Sequence, residues 1–261
     1  MTYQNLSFTV SGAVATICLQ RPDAGNTFNL ELAKEFESVV RDCMYAESVR
    51  VVVITGSGKL FSGGGDLKYM QDNSSSIDKA IKELADTLHS AYSMLARMEK
   101  PVVVGVNGTA AGIGLSLALL GDVIISVDKA KFATSYVGIG FSPDGGLTYT
   151  LPRLIGDKRA RELILTNRVL SAHEALDWGM ITTVVTTDEF EPALTSLADK
   201  LAHGPGKALG DAKRLLRNTH NETLESQMHS EGLALASNSA SPDGREGVDA
   251  FANGRKPEFN K

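Results

Sequence analysis

The chain has 261 residues, 43% of them hydrophobic, which suits one large domain or a domain with an appendage. Its formal net charge of −5 gives no electrostatic case for nucleic acid or an anionic membrane as a partner. Cys18 and Cys43 sit in apolar-periodic segments without metal-ligand spacing, and "MTYQNLSFTV" lacks the basic end and apolar stretch of a signal peptide, so reduced core thiols in a soluble cytoplasmic protein are expected, with no metal site.

"LSFTV" and "AVATICLQ", split by Ser11-Gly12, alternate as a hairpin does. "LELAKEFESVVRDCMYA" places Leu32, Phe36, Val39, Val40 and Cys43 at helical spacing, and "VRVVVITG" is a β-branched run that predicts a buried strand. A glycine-rich loop, "GSGKLFSGGGDL", leads into a long amphipathic helix from about Ile77 to Met98. "PVVVGVNG" repeats the buried-strand signature, "AAGIGLSLALLG" predicts a helix with a glycine-rich start, and "DVIISV" and "FATSY" predict two further strands. Asn107, Asp122 and several glycines in this apolar region argue against a membrane span. Beyond Asp157 the pattern is largely helical apart from "ITTVVT". An α/β body over 1–200 therefore precedes a helical region over 201–261, with no low-complexity linker between them.

Twice a buried strand runs into small residues and then a helix: "FSGGGDL" after "VVVITG", and "AAGIG" after "VVVGVNG". The free N–H groups at a helix start carry partial positive charge and suit an oxyanion. Two of them aimed at one point would stabilise a carbonyl oxygen as it gains charge. Taken singly, each stretch is explained by tight turns and close packing. Nucleotide binding fits poorly. "GSGKLFSG" lacks the third glycine of G-x-G-x-x-G, and Leu60 follows Gly58-Lys59 where a P-loop needs Ser or Thr.

Six stretches together, "RPDAGNTFN", "VVVITGSGKLFSGGGDL", "KPVVVGVNGTAAGIGLSLALLGDVIIS", "KFATSYVGIGFSPDGGLTYTLPRLIG", "AHEALDWGMITTVV" and "EGVDAFANGRKPEF", resemble the crotonase (enoyl-CoA hydratase/isomerase) superfamily. The resemblance covers essentially the whole chain. It implies a spiral of stacked ββα turns and a helical C-terminal trimerisation region, usually assembled as a homotrimer or a dimer of trimers. It also implies an acyl-CoA thioester substrate, no separate cofactor, and an oxyanion hole whose two backbone donors fall on Gly65 and Ile113. The CoA would lie along Ala24, Asn26 and Phe28 and along Gly63, Gly64, Asp66 and Leu67. Phe251 and Lys256 of a neighbouring subunit would reach its nucleotide end.

The departures from the family pattern are informative. Hydratases of this family hold and activate water with two glutamates, and at those positions this chain has Ser116 and Tyr136. Asp144, in "SPDGG", resembles the aspartate of the phenylacetate-pathway (epoxyphenylacetyl-CoA isomerase-like) subgroup and of other enoyl-CoA isomerases. One carboxylate is enough for an allylic proton shift. His89, Tyr136 and Asp144 also resemble, in two residues of three, the triad of the aryl-CoA dehalogenases, where a histidine activates water and the aspartate is the nucleophile. Alternatively, His89 only lines or caps the acyl pocket. An enoyl-CoA isomerase is the expectation. The alternatives are a hydratase with altered residues, dehalogenase-type displacement or hydrolysis, and a CoA-binding scaffold that has lost the chemistry. Tyr136, Phe141, Tyr149 and His89 hint at a pocket for a ring or a branched chain. Ser116 reads as a packing residue, and Trp178 and His173 as a helix-start segment with a core anchor.

Overall fold

The computed structural model describes residues 3–260. Strands β1 (Leu6–Ser11) and β2 (Val14–Leu19) form the expected antiparallel hairpin, turning at Gly12 with φ of 57°. Helix α1 (Leu30–Tyr45) starts at Asn29, whose side chain accepts the Leu32 N–H, and it buries the predicted apolar face. Strand β3 (Val51–Gly56) is buried along its whole length, as a strand covered on both faces must be.

From β3 onward the chain repeats one manoeuvre. A long strand in one sheet is followed by a three-residue strand in a second sheet. β3 passes to β4 (Leu60–Ser62), then α2 (Leu67–Asp72) and α3 (Ile77–Arg97). β5 (Val102–Val106) passes to β6 (Thr109–Ala111), then α4 (Ile113–Ala118). β7 (Val123–Val127) passes to β8 (Lys131–Ala133), with α5 (Leu147–Ile155) and α6 (Asp157–Thr166) after it. β9 (Val169–Ser171), α7 (Ala172–Asp177), β10 (Thr183–Val185) and α8 (Thr187–Ala202) close the body. The larger sheet runs β1-β2-β3-β5-β7-β10, parallel after its first pair, and the smaller runs β4-β6-β8-β9. These are the stacked ββα turns that the sequence implied.

The short strands β4, β6 and β9 went unread in the sequence because three residues are too few to show a period. "FATSY" stops being a strand at Ala133, since Ser135 takes a left-handed φ of 58° and turns the chain.

Helices α9 (Gly206–Asn218), α10 (Leu224–Ser239) and α11 (Pro242–Ala252) follow the body. The Lys213 ammonium fastens α9 to it, 2.7 Å from Asp122 and donating to the carbonyls of Leu95 and Lys100. Among the described residues no helix is long and apolar enough to cross a membrane.

Candidate active site

The two glycine turns face each other. Gly64 takes φ of 102°, and a side chain there would place its Cβ 3.0 Å from the Ala111 carbonyl oxygen. A Cβ on Gly112, itself at φ of 53°, would lie 3.5 Å from Gly64 Cα. The positive φ at both positions, and the close approach at Gly64, favour glycine. One residue past each, among the described residues, neither the Gly65 nor the Ile113 N–H donates a backbone hydrogen bond within the chain. Both residues line a cavity of about 560 Å³.

Buried polar contacts set the first turn. The Ser62 hydroxyl donates to the Asn26 carbonyl at 2.8 Å and accepts the Gly64 N–H at 3.3 Å. Phe28 N–H donates to the Gly64 carbonyl at 2.8 Å, and Asp66 N–H to the Phe28 carbonyl at 3.0 Å, so segments 25–28 and 63–66 run zipped together. Asp66 caps α2 through the N–H groups of Lys68 and Tyr69 and pairs with Arg21 at 2.8 Å. Burial alone would raise the Asp66 pKa, but the Arg21 guanidinium and the two N–H groups hold it below the ordinary value.

The residues of the expected CoA contact differ in how they are placed. Asn26 and Phe28 are 0% exposed. The Asn26 side chain is spent on the Arg21 N–H and on the Ser57 and Leu60 carbonyls, and Phe28 stacks edge-on against Phe36. Both shape the loop from beneath, and Asp66 is committed to its cap and ion pair. Ala24 and Leu67 are exposed, while Gly63, Gly64 and Leu67 line the cavity. Phe251, 89% exposed on α11, and Lys256 do not line it.

Asp144 lines the same cavity. Its Oδ1 accepts the Tyr136 hydroxyl at 2.7 Å, and among the described residues no hydrogen bond reaches Oδ2. Burial first, then the negative charge of Asp144, push the Tyr136 phenol far above its ordinary pKa, so it stays protonated and donates. The fully buried Ser116 hydroxyl lies 3.0 Å from the Asp144 carbonyl oxygen and 3.1 Å from the Tyr136 oxygen. The two positions where the resemblance would put glutamates thus carry hydroxyls that hold the one aspartate.

Gly145 brings that aspartate close to Ile113 and Ser116. At φ of 61°, a Cβ there would fall 2.5 Å from Ile113 Cδ1 and 2.8 Å from Ser116 Cβ. Its N–H donates to His89 Nε2 at 3.1 Å. The Nε2 lone pair is therefore occupied, which leaves Nδ1 as the ring nitrogen that bears a proton. The 3.6 Å between Nε2 and Asp144 Oδ2 then separates two acceptors. His89 does not line the cavity, and Tyr149 turns outward beneath the Arg153 guanidinium, 3.5 Å from its ring centre. Of the four residues that hinted at a pocket, Tyr136 and Phe141 line it.

Tyr92 escaped the sequence reading. It is buried on α3, and its hydroxyl donates to the Ile113 carbonyl at 2.9 Å, behind the second expected donor. Its place in the stripe Leu84, Leu88, Ala91, Tyr92, Leu95 reads as core. The signal was the hydroxyl, which needs a partner when buried. Elsewhere Ser171 caps α7 in a capping box with Glu174, and the Arg159 and Arg168 guanidinium groups lie 4.8 and 5.1 Å from the centre of the Trp178 ring. Among the described residues no group of three or more His, Cys, Asp or Glu side chains is placed to hold a metal ion.

Residues 9–261 match the enoyl-CoA hydratase/isomerase family profile. The chain is 35% identical over 256 residues to 1,2-epoxyphenylacetyl-CoA isomerase of Escherichia coli, covering 96% of each protein. It is 34% identical over 223 residues to a 4-chlorobenzoyl coenzyme A dehalogenase of Arthrobacter, covering 85% of this chain and 81% of that one. The crystal structure of an enoyl-CoA hydratase from Bacillus anthracis superposes with a TM-score of 0.92 at 30% identity, covering 98% and 99%.

Proposed function

The chain belongs to the enoyl-CoA hydratase/isomerase family of acyl-CoA enzymes, and on that premise we propose that it is an enoyl-CoA isomerase in which Asp144 alone moves the proton. One observation carries the reading. The cavity shared by the Gly65 and Ile113 donors holds a single carboxylate at their end, and both neighbouring hydroxyls are tied to it. The thioester oxygen takes the two N–H groups. The Asp144 carboxylate removes a proton from C2 of a 3-enoyl-CoA, and the electron pair of that C–H bond delocalises into a dienolate. The same carboxyl returns the proton to C4, leaving the double bond between C2 and C3. Each backbone donor contributes about 3–4 kcal/mol to such a transition state. Tyr136 holds Oδ1 and leaves Oδ2 to act as the base.

The neighbouring chemistries each need a group that is engaged here. Water addition benefits from a second residue to position the water, and the Tyr136 hydroxyl is spent on Asp144. Dehalogenase-type water activation needs a histidine lone pair, and Nε2 of His89 is spent on Gly145. The intact cavity, with two donors facing it, speaks against a scaffold without chemistry.

CoA would run over the exposed edge formed by Ala24, Gly63 and Leu67. Helix α10 buries only Ala234 within the chain and exposes Leu224, Met228, Leu233 and Leu235, and Phe251 projects from α11. Such surface suits a homotrimer or a dimer of trimers in which Phe251 and Lys256 reach a neighbour's nucleotide site. To test the reaction, a 3-enoyl-CoA is incubated with the enzyme and the products are separated. The 2-enoyl isomer as main product supports the isomerase. A 3-hydroxyacyl-CoA as main product sinks it.

A further inference from the structure

The α3 side of the cavity is aliphatic, while Ser135, Tyr136, Phe141 and Ser142 line it from the segment that carries Asp144. Ile77, Ile81, Leu84, Ala85 and Leu88 recur at helical spacing along α3, and Leu67, Met70 and Ile139 add to them from other elements. The α3 stripe has its reacting end fixed, because His89, the residue after Leu88, bonds Gly145 beside Asp144. From there to Ile77 the wall extends about 16 Å at 1.5 Å per residue. It ends at an exposed apolar rim of Leu67, Ile77 and Ile139. Ala85, with the smallest side chain in the stripe, lies in the middle of it.

The charge at the cavity is equally one-sided. Its charged lining residues are Asp144 and, at the exposed end, Asp78, and among the described residues no cation joins them. The Tyr136 hydroxyl is committed to Asp144. A hydroxyl or carboxylate on the part of the acyl tail against α3 would leave water to meet an aliphatic wall, and a carboxylate would also face Asp78.

Building on the acyl-CoA reading above, we propose that this site selects an unsubstituted, uncharged hydrocarbon acyl group of medium length, and that Ala85 leaves the space for its tail. An extended chain gains about 1.2 Å per bond, so roughly eight to ten carbons span most of the wall and four do not. This is a claim about specificity and does not depend on which reaction Asp144 performs.

The test therefore uses saturated acyl-CoAs, which bind without turnover. Calorimetry of the full chain with CoA, butyryl-, hexanoyl-, octanoyl- and decanoyl-CoA should show affinity rising roughly fourfold per added methylene, then levelling as the tail passes the rim. Octanoyl-CoA carrying an ω-carboxylate should bind at least about tenfold more weakly than octanoyl-CoA. Ala85→Phe should compress the decanoyl-to-butyryl ratio about tenfold or more. Ile81→Ala, a milder change should the first variant fail to fold, should also compress it. A flat ladder, an ω-carboxylate bound as tightly as the parent chain, or an unchanged ratio in both variants overturns the inference. If CoA and the short acyl-CoAs bind while the ladder is flat, the acyl-CoA reading stands and only the specificity falls. If nothing binds, both fall.

Discussion

Two residues decide how Asp144 is presented. Tyr136 donates to Oδ1 at 2.7 Å, and Ser116 sits 3.0 Å from the Asp144 carbonyl oxygen, so side chain and backbone are held from two directions. Tyr136→Phe removes a hydrogen bond to a charged group, an interaction contributing about 1.5–3 kcal/mol. The expected loss is on the order of 10- to 100-fold in kcat, with acyl-CoA affinity nearly unchanged, as steady-state kinetics and calorimetry would read. The pH dependence follows in sign. Deprotonating Tyr136 would destroy the donor and set a second negative charge beside Asp144, and burial with that same charge raises its pKa. Wild type should therefore show no alkaline loss near the ordinary phenol value of about 10 that Tyr136→Phe lacks. Asp144 was legible in the sequence as the acid beside two missing glutamates. Its holders were not, because Ser116, Tyr136 and the supporting Tyr92 come from separate elements whose meeting no local pattern records.

At the scale of elements, the site depends on turns that only short strands and glycines can make. β4 and β6 are three residues each, yet they end beside Gly65 and Ile113 and so aim the two N–H groups. The sequence showed the glycines and the long strands and hid the short ones, since pairing across the smaller sheet forms them rather than any periodicity. Ile113 is the first residue of α4, a position where proline suits a helix. Ile113→Pro should therefore keep α4 while deleting one donor, lowering kcat by about 10²–10³-fold with circular dichroism unchanged. A rate within a few-fold of wild type would remove Ile113 from the oxyanion site.

For the whole molecule, the apolar surface of α10 and α11 is the largest feature the single chain leaves unexplained. Leu235 is 72% exposed and Leu233 62% exposed, which a soluble monomer covers with difficulty. Light scattering should find a homotrimer or hexamer, and Leu235→Asp should release smaller species while leaving the body folded. A wild-type monomer at micromolar concentration would contradict this. The helices between 206 and 252 were plain from the pattern. Their role was not, because a partner surface and a core face share one hydropathy signature.

The proposed isomerase rests on one carboxylate, Asp144, carrying the proton. Nuclear magnetic resonance can follow deuterium entering C2 and C4 of an enoyl-CoA in D₂O, with wild type and Asp144→Asn compared under saturating substrate. Wild type should incorporate deuterium, and Asp144→Asn, which still binds the substrate, should show none above background. Incorporation that persists in Asp144→Asn would contradict that role.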